Sequence, residues 1–203
     1  SSSTYSNHNK GKKMKNNKED NDIWDLDIEP KLELLDEEMT RYIEVCKEKL
    51  GMVPNVILAN ASDKERLKNF VNFYNRLMIK DGYLTKLERE MIAVVVSSCN
   101  KCFYCLIAHG AAVRQLSNDQ ILGDELMINY RSASLSERQR LILDFSYKLT
   151  ETPSKVENSD RNILRKANFS DEEILEIVEV ASFFNMSNRI AVGTDMRPNA
   201  EYH

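Results

Sequence analysis

The sequence predicts an all-α protein, a multi-helix bundle in a single domain, and three observations carry that prediction. Gly and Pro are scarce, six and four among 203 residues, while the good helix formers Lys, Glu and Leu abound. Helix-opening signatures recur. Thr85-x-x-Glu88, Ser136-x-x-Gln139 and Ser170-x-x-Glu173 each place a hydroxyl three residues ahead of a carboxylate or carboxamide, the reciprocal pattern that satisfies orphan N–H groups at a helix start. No run alternates convincingly with period two, and there is no Asn-Gly hairpin signal.

Residues 1–22, "SSSTYSNHNKGKKMKNNKEDND", have almost nothing to bury and are expected to form a disordered, solvated tail. The lysines in it (Lys10, Lys12, Lys13, Lys15, Lys18) lack an aromatic or amphipathic pattern that would seat them on an anionic surface. Order is expected from Ile23-Trp24, so that residues 23–203 form the helical domain. In "KLELLDEEMTRYIEVCKEKLG", Leu35, Met39, Tyr42, Ile43, Cys46 and Leu50 fall at helical spacing and Gly51 stops the helix. Cys46 sits on that stripe as a core filler. Pro54 restarts a short segment, and "SDKERLKNFVNFYNRLMIKDG" follows with Ser62 or Asp63 as N-cap.

Thr85 and Glu88 open "KLEREMIAVVVSS", whose second half is apolar all round, the mark of a helix buried on most sides. Asn100 offers an N-cap for "KCFYCLIAHGAAVRQL", and Ser117-x-x-Gln120 a start for the next helix. Ser136 opens a helix that stops before Pro153. A short "DRNILRKAN" then leads to the long helix begun at Ser170. There is also an internal echo. Asn100 lies fifteen residues after the Thr85 cap and Asn185 fifteen after the Ser170 cap, as a duplicated helical unit would have it.

Composition narrows the function. A hydrophobic content of 42% and a charged content of 30% are ordinary for a globular chain. A net charge of −4 gives no reason to expect a nucleic-acid partner. No apolar run approaches the roughly 18–20 residues needed to span a membrane, and no secretory h-region stands near the start. A reducing compartment such as the cytoplasm is therefore expected, where close cysteines read as catalytic or metal-binding. The chain opens at Ser1 without a methionine, which leaves organelle targeting open.

The chemistry concentrates in "SSCNKCFYCLIAHG", where Cys99, Cys102, Cys105 and His109 fall within eleven positions. Three readings fit. As a metal clasp, the four would serve as a Cys₃His set, but the flanks are helical and no second ligand pair is visible. As core residues, the cysteines would pack among Val96, Phe103, Leu106 and Ile107, the reading preferred for Cys99. As a redox pair, Cys102, Cys105 and His109 share one helix face, near N–H groups that favour thiolate. Two thiols three positions apart can close a disulfide, and a nearby imidazole can take a thiol proton. On the preceding helix, Glu90 stands about 60° from the centre of the Leu87–Met91–Val94–Ser98 stripe and needs a partner if buried. An alternative pairs it in solvent with Lys86 or Arg89.

These residues carry a resemblance. Glu90, eleven residues, Cys102-Phe103-Tyr104-Cys105, three residues and His109 resemble the E-x₁₁-C-x-H-C-x₃-H signature of the alkylhydroperoxidase D (AhpD)-like proteins, in the carboxymuconolactone decarboxylase superfamily. "LGMVPNV", "INYRSASLSERQR", "FSDEEILEIVEVASFFNMSNRIA" and "MRPNAEYH" resemble, in order, its branch of uncharacterised peroxidase-related enzymes. The resemblance implies an oligomeric all-α protein, a homodimer or hexamer. The apolar stretches "MIAVVV" and "FFNMSNRIAV" give a second reason to expect an oligomer. It also implies a thiol peroxidase without metal or other cofactor, acting on a hydroperoxide and regenerated by a dithiol or protein reductant. Cys105 would be the attacking thiolate, Cys102 the resolving thiol, and His109 and Glu90 the proton relay. Tyr104 departs from the pattern, because tyrosine can donate or bridge a hydrogen bond but is a poor base at neutral pH. Lactone decarboxylation, the superfamily's other activity, does not call for a dithiol.

Overall fold

A computed structural model describes residues 23–203; the tail expected over residues 1–22 lies outside the described residues. Among these the chain forms nine α-helices and no strand. They are Glu37–Leu50 (α1), Asn55–Asn60 (α2), Lys64–Tyr74 (α3), Lys86–Cys99 (α4), Phe103–Ser117 (α5), Gln120–Asn129 (α6), Glu137–Glu151 (α7), Asn158–Lys166 (α8) and Asp171–Gly193 (α9).

Helix α4 is the centre. Every residue from Glu88 to Ser97 is buried, and α5, α6, α7 and α9 pack around it. The main core gathers Met91 to Val96 with Leu126, Ile142, Leu143, Ile177, Val180 and Phe184. A second cluster, built on Met39, Ile43, Leu67 and Val71, seats α1 and α3. A third brings Ala59, Tyr104, Ala191 and Met196 around Cys102 and Cys105, where α2, α5 and α9 meet.

The three capping boxes at Thr85, Ser136 and Ser170 form as expected, because the reciprocal bonds are local and need no tertiary partner. The two echoed helices also meet in register. Arg138 donates to Glu88 Oε1 at 2.8 Å and to Glu173 Oε1 at 2.7 Å, tying the two N-terminal turns together. One helix length on, Asn100 Nδ2 donates to Asn185 Oδ1 at 3.0 Å. Helices α4 and α9 therefore run side by side in the same direction.

Four expectations need correction. The first helix does not run from Lys31: Leu32–Leu34 form a 3₁₀ turn, and Asp36, accepting the Met39 N–H, caps a helix that starts at Glu37. Asn100 does not cap α5. It ends α4, Lys101 turns the chain through φ 56°, and Cys102 stands at the N-cap of a helix beginning at Phe103. The Asn100 amide is drawn instead to Asn185 and Asn188 on α9. Ser117 belongs to the end of α5, and Asp119, with its carboxylate on the N–H groups of Ile121 and Leu122, caps α6. Finally, Arg89 does not face solvent. It is 1% exposed, and its guanidinium donates to the carbonyls of Leu77 and Lys80 at 2.8 Å each, where α3 runs on into a π-helical turn over Asn75–Ile79.

Replacing Arg89 with Met keeps the volume but strands those two carbonyls. Arg89→Met should lower unfolding free energy by about 2–4 kcal/mol, at the cost expected for two unpaired buried acceptors. Denaturant titration checks this, and an unchanged midpoint would contradict it.

Candidate active site

Glu90 faces inward from α4, where burial denies it water, and the group it meets is the His109 imidazole of α5. The Nδ1 to Oε2 distance is 2.6 Å, with both side chains largely buried. With the carboxylate as acceptor, Nδ1 is the donor, and in the neutral ring Nε2 is the acceptor. Phe184 of α9 packs edge-on against the ring, centroids 4.6 Å apart, and fixes its plane. The alternative of a solvent-paired Glu90 is thereby overturned, because Lys86 lies a turn away toward solvent and Arg89 is spent on backbone carbonyls.

One and two turns before His109 lie the thiols. Cys102 Sγ and Cys105 Sγ are 2.7 Å apart, with 1% and 2% of each residue exposed. They titrate apart. Hydrogen bonding from Cys105, through its thiol and its backbone N–H, holds Cys102 below the ordinary thiol range against the opposing effect of burial, with Asn188 helping. The bond to Cys102, together with burial, pushes Cys105 far up. The first proton of the pair therefore leaves from Cys102 in preference to Cys105, and the second is held more tightly.

The two cysteines line different spaces. Cys105 lines a cavity of about 360 Å³ together with Glu90, His109, Tyr104 and Tyr202, walled by Val56, Phe70, Phe183 and Phe184. Cys102 lines a recess of about 150 Å³ beside Lys101, Phe103, Asp195 and Arg197. Tyr104 borders both. It is buried, and its hydroxyl accepts the Val56 N–H at 3.0 Å.

The remaining cysteines separate from this pair. Cys99 is half-buried in a third recess, with Lys101, Tyr130, Arg131 and Tyr147, so the four-residue clasp expected of a metal site is not assembled. Among the described residues no group of three or more His, Cys, Asp or Glu side chains converges as a ligand set. Cys46 is buried as expected of a core filler, yet it stands on the wall of the Cys105 cavity. Burial pushes both of these thiols up.

Two polar residues beneath the thiols escaped the sequence reading. Asn188 and Ser97 are both fully buried, and Asn188 Nδ2 donates to Ser97 Oγ at 2.9 Å. Asn188 acts to lower the titration of both thiols and Ser97 that of Cys105. The signal was present: Asn188 continues the Val180–Phe184 stripe of α9 at helical spacing, and an amide on an apolar stripe needs a partner as much as Glu90 does.

Fold and site together define a class of helical proteins in which a close thiol pair sits beside a carboxylate-held imidazole. The chain belongs to the carboxymuconolactone decarboxylase family, whose model matches residues 65–143. It is similar to the uncharacterized peroxidase-related protein from Silicibacter sp. TM1040, with 54% identity and a TM-score of 0.85 over 89% of this chain and 94% of that one. A second solved structure, an uncharacterized peroxidase-related protein with an alkylhydroperoxidase AhpD core from Ralstonia eutropha JMP134, is 38% identical, with a TM-score of 0.84 over 89% of this chain and 95% of that one. The debrominase Bmp8 shares the fold at 17% identity, with a TM-score of 0.71 over 86% of this chain and 93% of that one. No curated protein matches the chain.

The titration of the pair yields a prediction. Cys105→Ala removes the thiol that contributes most to depressing Cys102, leaving burial to act against the thiolate. The rate of Cys102 alkylation by iodoacetamide should then rise with pH later than in the wild type, whose Cys102 stays thiolate below the ordinary thiol pKa. Mass-resolved alkylation across pH checks the shift, and superimposable profiles would contradict it.

Proposed function

We propose that the protein is a thiol-dependent peroxidase of the alkyl hydroperoxide reductase type. The observation that carries this reading is the sharing of one cavity by Cys105 and the Glu90–His109 pair, with Cys102 Sγ in contact behind. Cys105 holds its proton more tightly than Cys102, so attack by Cys105 needs a proton acceptor on the cavity side. His109 Nε2, held by Glu90, is that acceptor, directly or through one water. The Cys105 sulfur attacks the terminal oxygen of the hydroperoxide and the O–O bond breaks. The alkoxide leaves as the alcohol after taking the proton from His109, and Cys105 is oxidised to a sulfenic acid. Cys102 thiolate then attacks the Cys105 sulfur. Water departs, taking the sulfenic hydroxyl and a proton, and a disulfide remains.

A dithiol or protein reductant restores the pair. One of its thiolates attacks Cys102 from the 150 Å³ recess, Cys105 leaves as thiolate, and the second reductant thiol closes the reductant's own disulfide. The cavity wall of Val56, Phe70, Phe183 and Phe184 favours an apolar organic hydroperoxide. The protein works as a homo-oligomer, a second copy covering the exposed Leu26, Ile28, Phe73, Met186 and Ile190.

A second reading, a thiol–disulfide oxidoreductase that hardly uses peroxide, rests on the depressed titration of Cys102 and its separate recess. Stopped-flow peroxide consumption by the pre-reduced protein separates the two. Cys105→Ser should abolish the reaction, and Cys102→Ser should allow one turnover and stall as a sulfenic acid trapped by dimedone. His109→Gln and Glu90→Gln should fold normally and slow the first step by about 10²–10⁴-fold. A peroxide-dependent sulfenate on Cys102 in Cys105→Ser would reverse the two thiols, and a wild type inert to peroxide would favour the second reading.

A further inference from the structure

We propose that Tyr202, in the last helical turn (Ala200–Tyr202), is a catalytic residue that donates a hydrogen bond to the departing oxygen of the hydroperoxide. The inference rests on the thiol peroxidase reading above and adds a group that the Glu–Cys–Cys–His pattern does not contain. It begins from Tyr104, which stands where that pattern has an inner histidine. The Tyr104 ring is buried, and its oxygen already receives the Val56 N–H at 3.0 Å. The phenol's own proton needs an acceptor, because a buried hydroxyl without one costs roughly 1–3 kcal/mol. Tyr202, which lines the same cavity as Tyr104 and acts on it electrostatically, is the acceptor assigned to that proton.

The direction of the chain follows. Val56 N–H donates to Tyr104, and Tyr104 O–H donates to Tyr202. In this arrangement the Tyr202 proton is free for the cavity that Tyr202 lines with Cys105, His109 and Glu90. Each bond in such a chain polarises the next, which strengthens the terminal donor. Burial first, and then the tie to Tyr202, keep Tyr104 protonated. Burial pushes Tyr202 up to about 12, with the Tyr104 bond acting the other way. Tyr202 therefore remains a donor throughout the pH range in which thiols react.

The turn is held firmly enough for this task. Asn199 Oδ1 accepts the Asn55 N–H at 2.7 Å, and Asn199 Nδ2 donates to the Val53 carbonyl at 2.9 Å. Asn55 Nδ2 donates to the Arg197 carbonyl at 2.8 Å. The same N-terminal turn of α2 thus anchors the Tyr202 turn and supplies the Val56 N–H. A donor fixed before reaction stabilises developing charge without reorganising.

In the step itself, Cys105 forms the S–O bond as the O–O bond breaks and two electrons pass from sulfur to the peroxide. The departing oxygen gains negative charge, which the Tyr202 O–H stabilises, and the proton delivered by His109 completes the alcohol. Tyr202 keeps its own proton.

The test compares two reactions of the pre-reduced full chain: single-turnover oxidation by cumene hydroperoxide and alkylation by iodoacetamide, whose leaving iodide needs no such donor. Tyr202→Phe should slow oxidation by about 10²-fold, the loss typical for one oxyanion-type donor, and leave alkylation within a factor of about two. Tyr104→Phe, which keeps the Tyr202 hydroxyl but loses its orientation, should lose less. A wild type that oxidises readily with Tyr202→Phe equally fast overturns the role of Tyr202 alone. So does a loss shared equally by oxidation and alkylation, or a larger specific loss in Tyr104→Phe. A wild type inert to the peroxide overturns the peroxidase reading itself.

Discussion

A helix with no wet face must find a protein partner for each polar group it carries, and that constraint on α4 organises the rest of the molecule. From Glu88 to Ser97 the helix is buried throughout, and its four polar or charged side chains in that span reach out to four different places. Glu88 takes Arg138 of α7, and Arg89 takes the carbonyls of Leu77 and Lys80 at the end of the π-helical turn. Glu90 takes His109 of α5, and Ser97 takes Asn188 of α9. Each pairing sets the position of an element against the centre. Two of them, Glu90–His109 and Ser97–Asn188, are also the groups that surround the thiols. Stability and chemistry draw here on the same electrostatic requirement, that buried polar groups be satisfied.

The thiol pair takes its asymmetry from this setting. Cys102 and Cys105 are chemically alike and one turn apart, yet the first is held toward thiolate and the second away from it. Their sulfurs touch, but the cavity at Cys105 and the recess at Cys102 are separate, with Tyr104 bordering each. In the proposed cycle, oxidant and reductant approach the pair from these two sides. In the same proposal the imidazole held by a carboxylate serves the Cys105 side, where the thiol holds its proton the more tightly.

Much of this was legible in the sequence because it depended on neighbours in the chain. The capping boxes at Thr85, Ser136 and Ser170 form wherever their residues occur, and the spacing of Cys102, Cys105 and His109 fixes a shared helix face. Glu90 was legible for a different reason: a carboxylate beside a buried stripe requires a partner even before the partner is known. What was not legible came from contacts across the chain. Asn100 looks like an N-cap until the amides of Asn185 and Asn188, more than eighty positions away, compete for it. Ser117 yields its capping role to Asp119, whose carboxylate is the stronger acceptor two residues on. Tyr202 carries no local signature at all, and only the fold brings its turn back over the Cys105 cavity.

The central claim is that Cys102 and Cys105 form the working redox pair, apart from the other two cysteines of the described chain. Peptide mass mapping of the reduced protein after one equivalent of an organic hydroperoxide, with free thiols blocked before digestion, addresses it most directly. The expected result is a single disulfide, Cys102–Cys105, reversed by a dithiol, with Cys46 and Cys99 recovered as blocked thiols. A Cys99–Cys102 bridge, or oxidation that settles on Cys46 while the pair stays reduced, would contradict it.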